Sequence, residues 1–168
     1  MSLTMADEDR NISRRGTRIV LAIAAGLAMA WTLGAALAPW LSAHGSSLGG
    51  WLRLVYRPGC HQIPGRCLNL GFGPLAVCAR CLGLYVGGTL GLVWTLLRNR
   101  PSRPHPWWLL VVAVPTICDF TAGLAGLPSL GNWPRFAVAL PLGLLAGLYL
   151  GDALIEITRR NLESSVRD

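Results

Sequence analysis

Four of the five cysteines in this 168-residue chain fall in two short runs, CHQIPGRC at 60–67 and CARC at 78–81, and His61 stands beside the first of them. Thiolate and imidazole are the ligands of tetrahedral zinc, which takes four of them. Cys78 and Cys81 are three apart, so on a helix they share a face. At a helix N-terminus the exposed N–H groups and the dipole favour thiolate, the form that binds metal or attacks a disulfide. Arg80, between them, is expected to lower their pKa further. The same sulfurs admit three readings. In the metal reading Cys78 and Cys81 are joined by Cys60 and either His61 or Cys67. Residues 60 and 61 need a turn to reach one ion. In the redox reading Cys60–Cys67 and Cys78–Cys81 are disulfides that exchange electrons. In the third they are structural disulfides pinning a loop.

The compartment decides between these, so the elements that carry the cysteines come next. Hydrophobic residues make up 52% of the chain and charged residues 14%, against about 25% charged in soluble domains. The apolar residues form four blocks, at about 19–41, 74–97, 107–127 and 136–157. Roughly 20 helical residues cross a bilayer core, and the alternating ten-residue segments of a barrel are absent. The chain is therefore expected to be an all-α, polytopic membrane protein with four transmembrane helices in one 19–157 domain. Residues 1–18 are expected to be a disordered tail and 158–168 a second tail. The first block is too long for a signal-peptide core of about 7–15 residues, and Pro39 follows the candidate cleavage site, so it reads as a retained span.

The net charge of +7 is carried by 15 arginines and no lysine. They flank the apolar blocks, which fits membrane orientation and no nucleic-acid partner. Arg10, Arg14, Arg15, Arg18, Arg98, Arg100, Arg103, Arg159, Arg160 and Arg167 fall on one side of a four-span chain. Arg53, Arg57, Arg66 and Arg135 fall on the other, with Arg80 near it. Positive residues favour the cytoplasm. Both termini are thus expected to be cytoplasmic, in a plasma (inner) membrane, with loop 42–73 and its cysteines extracytoplasmic. Disulfides persist in such a compartment.

Small residues recur every four positions: Ala22, Gly26, Ala30, Gly34 and Ala38; then Gly83, Gly87 and Gly91; then Gly143, Gly147 and Gly151. Each set lies on one helix face and suits close packing in lipid, within the bundle or in a homodimer. The stretch SLGGWLRLVYR puts Leu48, Trp51, Leu52 and Val55 on one face of a short interfacial helix. Arg53 and Arg57 would reach headgroups, and Trp51 and Tyr56 suit the interface. Pro58 and Gly59 end it, and an irregular stretch leads to CARC.

CHQIPGRC followed by PLAVCARCLGLYVG resembles the bacterial and archaeal membrane family called domain of unknown function 2085. Its pattern falls on Cys60, His61, Gln62, Pro64, Arg66, Pro74, Cys78, Ala79, Arg80, Cys81, Gly83 and Tyr85, with LAV where a single residue usually precedes the third cysteine. CDFTAGLAGLPSLGNWPR continues the likeness through Asp119, Asn132 and Arg135. The resemblance implies a membrane fold and no established activity. It places a serine where this chain has Cys67, which implies that the shared set is Cys60, His61, Cys78 and Cys81. Three thiols and an imidazole suit zinc or a similar metal. The span number and the Cys-x-x-Cys also look like the quinone-coupled disulfide-forming oxidoreductases of the DsbB type. Those carry their second pair in the other outer loop, and residues 128–135 hold no cysteine.

Asp119 sits inside the third block. A carboxylate at membrane depth faces protein and is often functional. Arg80 and Arg135 are its expected partners, either as a structural ion pair or beneath the cysteines in an ion or proton path. Cys118 is expected to be an inert buried thiol, and His44 and His105 surface residues. No phosphate loop, HExxH or GxSxG is present.

Overall fold

The computed structural model describes residues 2–102, 104–126 and 130–165, with side chains from Arg14 onward other than those of 162, 163 and 165. Arg103, Arg167 and the expected end of the third span at Leu127 lie outside the described residues, as does the side chain of Arg10. The elements in chain order are α1 (Ser2–Ala43), α2 (Ser47–Tyr56), a 3-10 turn (Pro64–Arg66), β1 (Cys67–Asn69), β2 (Pro74–Cys78), α3 (Ala79–Arg98), α4 (Trp107–Leu124) and α5 (Asn132–Ser165). Among the described residues four helices are long and apolar enough to cross a membrane: Arg14–Ala43, Ala79–Arg98, Trp107–Leu124 and Asn132–Asn161. α1 runs on as helix through the stretch expected to be a disordered tail, as far as Ser2.

The largest departure from expectation is local. Residues 74–78, read as the start of the second span, are a strand. β2 pairs with β1 antiparallel, with Cys67 opposite Cys78 and Asn69 opposite Pro74. Among the described residues the fold is thus mostly helical, with one two-stranded hairpin. Its turn needs Gly71 (φ 97°) and Gly73 (φ 107°) in the left-handed region, where a side chain is costly. The side-chain oxygen of Asn69 accepts from both glycine N–H groups, at 2.9 and 3.2 Å. β2 then feeds straight into α3, and Cys78 caps that helix in an extended conformation.

The glycines of α3 and α5 face each other within the chain. A Cβ at Gly87 would overlap the carbonyl oxygen of Leu140, and one at Gly147 that of Gly88. The homodimer expected as an alternative use of these faces has no support in that pairing, because α3 and α5 occupy each other. On α1 the small-residue row divides. Ala38 is buried and Gly34 meets the Tyr56 hydroxyl, whereas Gly26 has nothing within 4 Å.

A continuous core lies at the cysteine end. Tyr56, Leu68, Leu75, Ala76 and Val77 pack there with Cys60, Ala35, Ala38 and the first turns of α3. The hairpin plugs that end of the bundle. α2 leaves Leu48, Trp51, Leu54 and Val55 exposed. Leu52, expected on that apolar face, packs against the core instead.

Candidate metal centre

Cys60 arrives on the loop after α2, and Cys78 and Cys81 on the β2–α3 junction. The Sγ atoms of these three all lie within 4.8 Å of one another. The Cys78 N–H donates to Cys60 Sγ at 3.1 Å, and the sulfurs of Cys78 and Cys81 are 3.4 Å apart. Cys60 is buried; Cys78 and Cys81 are half-buried. His61 is exposed and is not part of the converging set, although it lines the same cavity. Cys67 is buried in β1 and donates to the Ile63 carbonyl at 3.3 Å.

The hairpin partners Cys67 and Cys78 have opposite electrostatics. The Cys78 thiol is lowered to about 5, first because Cys81 hydrogen-bonds to its sulfur, with the N–H groups of Cys81 and Arg80 and the Cys60 thiol adding to this against the opposing effect of burial. Of the pair, Cys78 is the sulfur whose surroundings favour the thiolate form. Burial pushes Cys67 up to about 11, with Cys60 and Cys78 adding to it. The expectation that the Arg80 charge would activate the thiols is corrected here. Its guanidinium turns away to Asp119, and only its N–H reaches Cys78.

That second cluster stands beside the first. Arg80 donates to Asp119 Oδ2 through Nε at 2.7 Å and also through Nη2. Arg135 Nε donates to the same oxygen at 3.3 Å. The Leu130 N–H donates to Oδ1 at 2.8 Å. The Asp119 side chain is 1% exposed, so both expected partners are present and the carboxylate is fully engaged. Phe120 lies under Arg80, with the guanidinium carbon 5.8 Å from the ring centroid.

Asn132 and Gln62 hold the loop in place. The Asn132 amide donates to the carbonyls of Gly65 (3.2 Å) and Cys67 (3.0 Å). Its oxygen accepts from Arg135 at 3.4 Å. Gln62 has φ 52°, uncommon for a residue with a side chain, and its amide donates to the Arg53 carbonyl at 2.6 Å.

Three assignments change. Arg53, expected to reach headgroups, donates to the Pro74 carbonyl at 2.6 Å and ties α2 to β2. Tyr56, expected at the interface, is 2% exposed and donates to the Trp31 carbonyl at 2.5 Å. Cys118, expected to be buried, is exposed on α4. Asp119 points inward, and the preceding residue is rotated about 100° away from it.

A cavity of about 480 Å³ joins the two clusters. Its walls are residues 59–63 and Cys78 and Cys81 on one side, the guanidiniums of Arg66, Arg80 and Arg135 on another, and Phe120 and Leu124 of α4 on the third. Phe120 and Leu124 gave no signal in the sequence beyond their apolar character.

A family model described as "Predicted membrane protein (DUF2085)" matches residues 60–149. An uncharacterized protein of Methanocaldococcus jannaschii is 30% identical over 123 residues, 68% of this chain and 79% of that one. An uncharacterized protein of Methanothermobacter thermautotrophicus is 30% identical over 86 residues, 51% of this chain and 78% of that one. No solved structure matches. The chain belongs to the family of predicted membrane proteins designated DUF2085, and the match begins at Cys60 and takes in both the thiols and the Asp119 cluster.

Proposed function

We propose that this member of the DUF2085 family holds zinc, or a similar metal, at Cys60, Cys78 and Cys81, with His61 as the fourth ligand and Cys67 as the alternative. The observation that carries this reading is the convergence of three sulfurs within 4.8 Å. Tetrahedral zinc with bonds of about 2.3 Å sets its sulfur ligands roughly 3.8 Å apart. The thiolate character of Cys78 supports it, since the metal binds the deprotonated form. Charge supports it too. Zn²⁺ with three thiolates carries −1, and Arg66, Arg80 and Arg135 against Asp119 leave +2 beside it. With four protein ligands the site would be closed, and the metal would tie the Cys60 loop to the β2–α3 junction. Gln62 lines the adjoining cavity, and the arginines favour an anionic group there.

The arginine distribution supports placing this end outside the cytoplasm, with both termini inside and α2 lying in the interface. Alkaline phosphatase fused to the C-terminus should be inactive; activity would reverse the orientation. A second reading rests on the 3.4 Å contact between the sulfurs of Cys78 and Cys81, with Cys78 the one favoured as thiolate. Such a thiolate–thiol pair forms a disulfide by giving two electrons and the one Cys81 proton to a partner disulfide, which becomes a thiol and a thiolate, or to a quinone, which takes its second proton from solvent.

One experiment separates the two. The chain is purified without reductant or added metal, zinc is measured, and thiols are alkylated before and after chelation. Near one zinc per chain, with Cys60, Cys78 and Cys81 labelled only after chelation, is the expected result. No metal together with a Cys78–Cys81 disulfide would defeat it in favour of the redox reading. His61→Ala should lower zinc content while Cys67→Ser leaves it unchanged. The reverse pattern moves the fourth ligand to Cys67.

A further inference from the structure

The opposite end of the bundle holds a second cavity, of about 260 Å³, whose lining is chemically simple. Arg14 and Arg18 of α1, Arg98 at the end of α3, Arg100 just beyond it, and Arg159 of α5 converge on it, together with Asn99. Among the described residues no acidic side chain lines it, and none of the five arginines is in an ion pair. Guanidiniums drawn from three helices repel one another unless an anion sits between them. The fold brings them together all the same. Asn99 ends α3 in the left-handed conformation, which sends the chain back across the helix end and delivers Arg100 beside Arg98. Asn99 lines the cavity beside them, and its amide N–H groups are donors of the kind a phosphate oxygen accepts from. Arg98 lies 4.9 Å from the centroid of the Trp94 ring, which orients its guanidinium while leaving its N–H groups available.

The position also matters. The apolar stretch of α1 begins at Arg14, that of α3 ends at Arg98, and that of α5 ends at Asn161. The cavity thus lies where the apolar spans give way to headgroups. Lone arginines there are common and orient a chain. A shared concavity lined by five of them is a binding geometry, because guanidinium forks match phosphate oxygens bidentately.

We propose that this arginine-lined cavity binds a phosphate group, whose two sources are the headgroup of an anionic lipid and a free phosphate. The site is separate from the cysteine cavity and stands whether or not a metal binds there.

The test uses the full chain in a neutral detergent. Sodium phosphate is compared with sodium chloride at equal ionic strength, and mixed micelles containing phosphatidylglycerol are compared with those containing phosphatidylcholine. The readouts are the thermal midpoint and the lipid retained in native mass spectrometry. A higher midpoint and retained lipid with phosphatidylglycerol alone assign the site to a headgroup. A response to sodium phosphate as well assigns it to free phosphate. Response to neither overturns the proposal. The Arg98→Gln/Arg159→Gln pair should weaken apparent affinity about 100-fold, roughly tenfold for each charged hydrogen-bonding group. Arg15→Gln/Arg160→Gln removes the same charge outside the cavity, and should change affinity less than about twofold. Equal losses in the two pairs mean diffuse surface charge, and sink the site. Where the cavity pair fails to fold, Arg159→Gln alone, at an exposed position, should still show the tenfold loss; an unchanged affinity there overturns the proposal.

Discussion

α5 holds α3 along nearly its whole length, through glycine ridges, while it holds α4 chiefly at one end. From Gly83 against Phe136 to Gly151 against Thr95, the backbones of α3 and α5 approach so closely that a methyl group fits at none of the six ridge glycines. α4 buries Asp119 alone, and adds a 3.3 Å hydrogen bond from Thr116 to the Val138 carbonyl. In lipid, apolar surface gives no drive for helix association. Close backbone packing and buried polar pairing are the two means left, and α5 uses the first toward α3 and the second toward α4. The consequence reaches the cavity. The thiols of Cys78 and Cys81 ride on the half fixed by glycine. Phe120 and Leu124, which form the facing wall, ride on the helix fixed by a carboxylate.

The largest expected effect comes from removing that carboxylate. Asp119→Asn leaves Arg80 and Arg135 buried against a neutral amide. Breaking a buried ion pair from one side costs about 3–5 kcal/mol. The thermal midpoint in detergent should fall accordingly, and amide exchange should rise in α4 while α3 and α5 keep their protection. Equal loss of protection in all three helices would remove the distinction between the two attachments. Arg135→Gln should cost less than Asp119→Asn, since Arg80 still neutralises the carboxylate through two nitrogens.

Next in size is Gly87→Val. Its added Cβ meets backbone on the partner helix, which no rotamer change relieves, so the helices must separate. Overpacking costs about 1–3 kcal/mol, and here the loss should appear as exchange in α3 and α5 together. Gly26→Val on α1, where nothing lies within 4 Å, is the control and should leave the midpoint unchanged. A tolerated Gly87→Val would show that the ridge is not what joins the helices.

The same contrast explains what the sequence reveals. Spans are legible because a bilayer demands about 20 apolar residues in a row, and a buried carboxylate is legible because lipid demands a partner for it. Asp119 and its two arginines follow from that demand alone. The glycine faces are legible as faces, but periodicity does not say which face meets which. The hairpin was hidden because Pro74–Val77 is as apolar as the helix it precedes, so the strand merged with the span. Gly71 and Gly73 were the available signal of a turn, and Asn69 the residue that closes it. Tyr56 and Arg53 went to the headgroups on composition, because an amphipathic helix reads the same whether its polar atoms meet lipid phosphates or a neighbouring carbonyl. The convergence of Cys60 on the Cys-x-x-Cys was legible as ligand spacing. The separation of Cys67 from it depends on hairpin register, which spacing does not encode.

The smallest effect tests a third kind of attachment, between α2 and α1. The buried Tyr56 hydroxyl donates to the Trp31 carbonyl at 2.5 Å, and its ring meets Trp31 edge-on with centroids 4.6 Å apart. Tyr56→Phe keeps the ring contact and deletes one neutral hydrogen bond, whose net worth is about 0.5–1.5 kcal/mol. The midpoint should fall by less than for either helix-joining variant, and faster exchange should be confined to α2 and the loop that carries Cys60. That loop is held a second time, by Gln62 on the Arg53 carbonyl and by Asn132 on the carbonyls of Gly65 and Cys67. Cys60 should therefore keep its place, and zinc content should match that of the unaltered chain. A loss of stability as large as that of Asp119→Asn would mean that α2 is no surface addition. It would make the cysteine end, where α2 and the hairpin share one core, the part of the molecule on which both helix attachments depend.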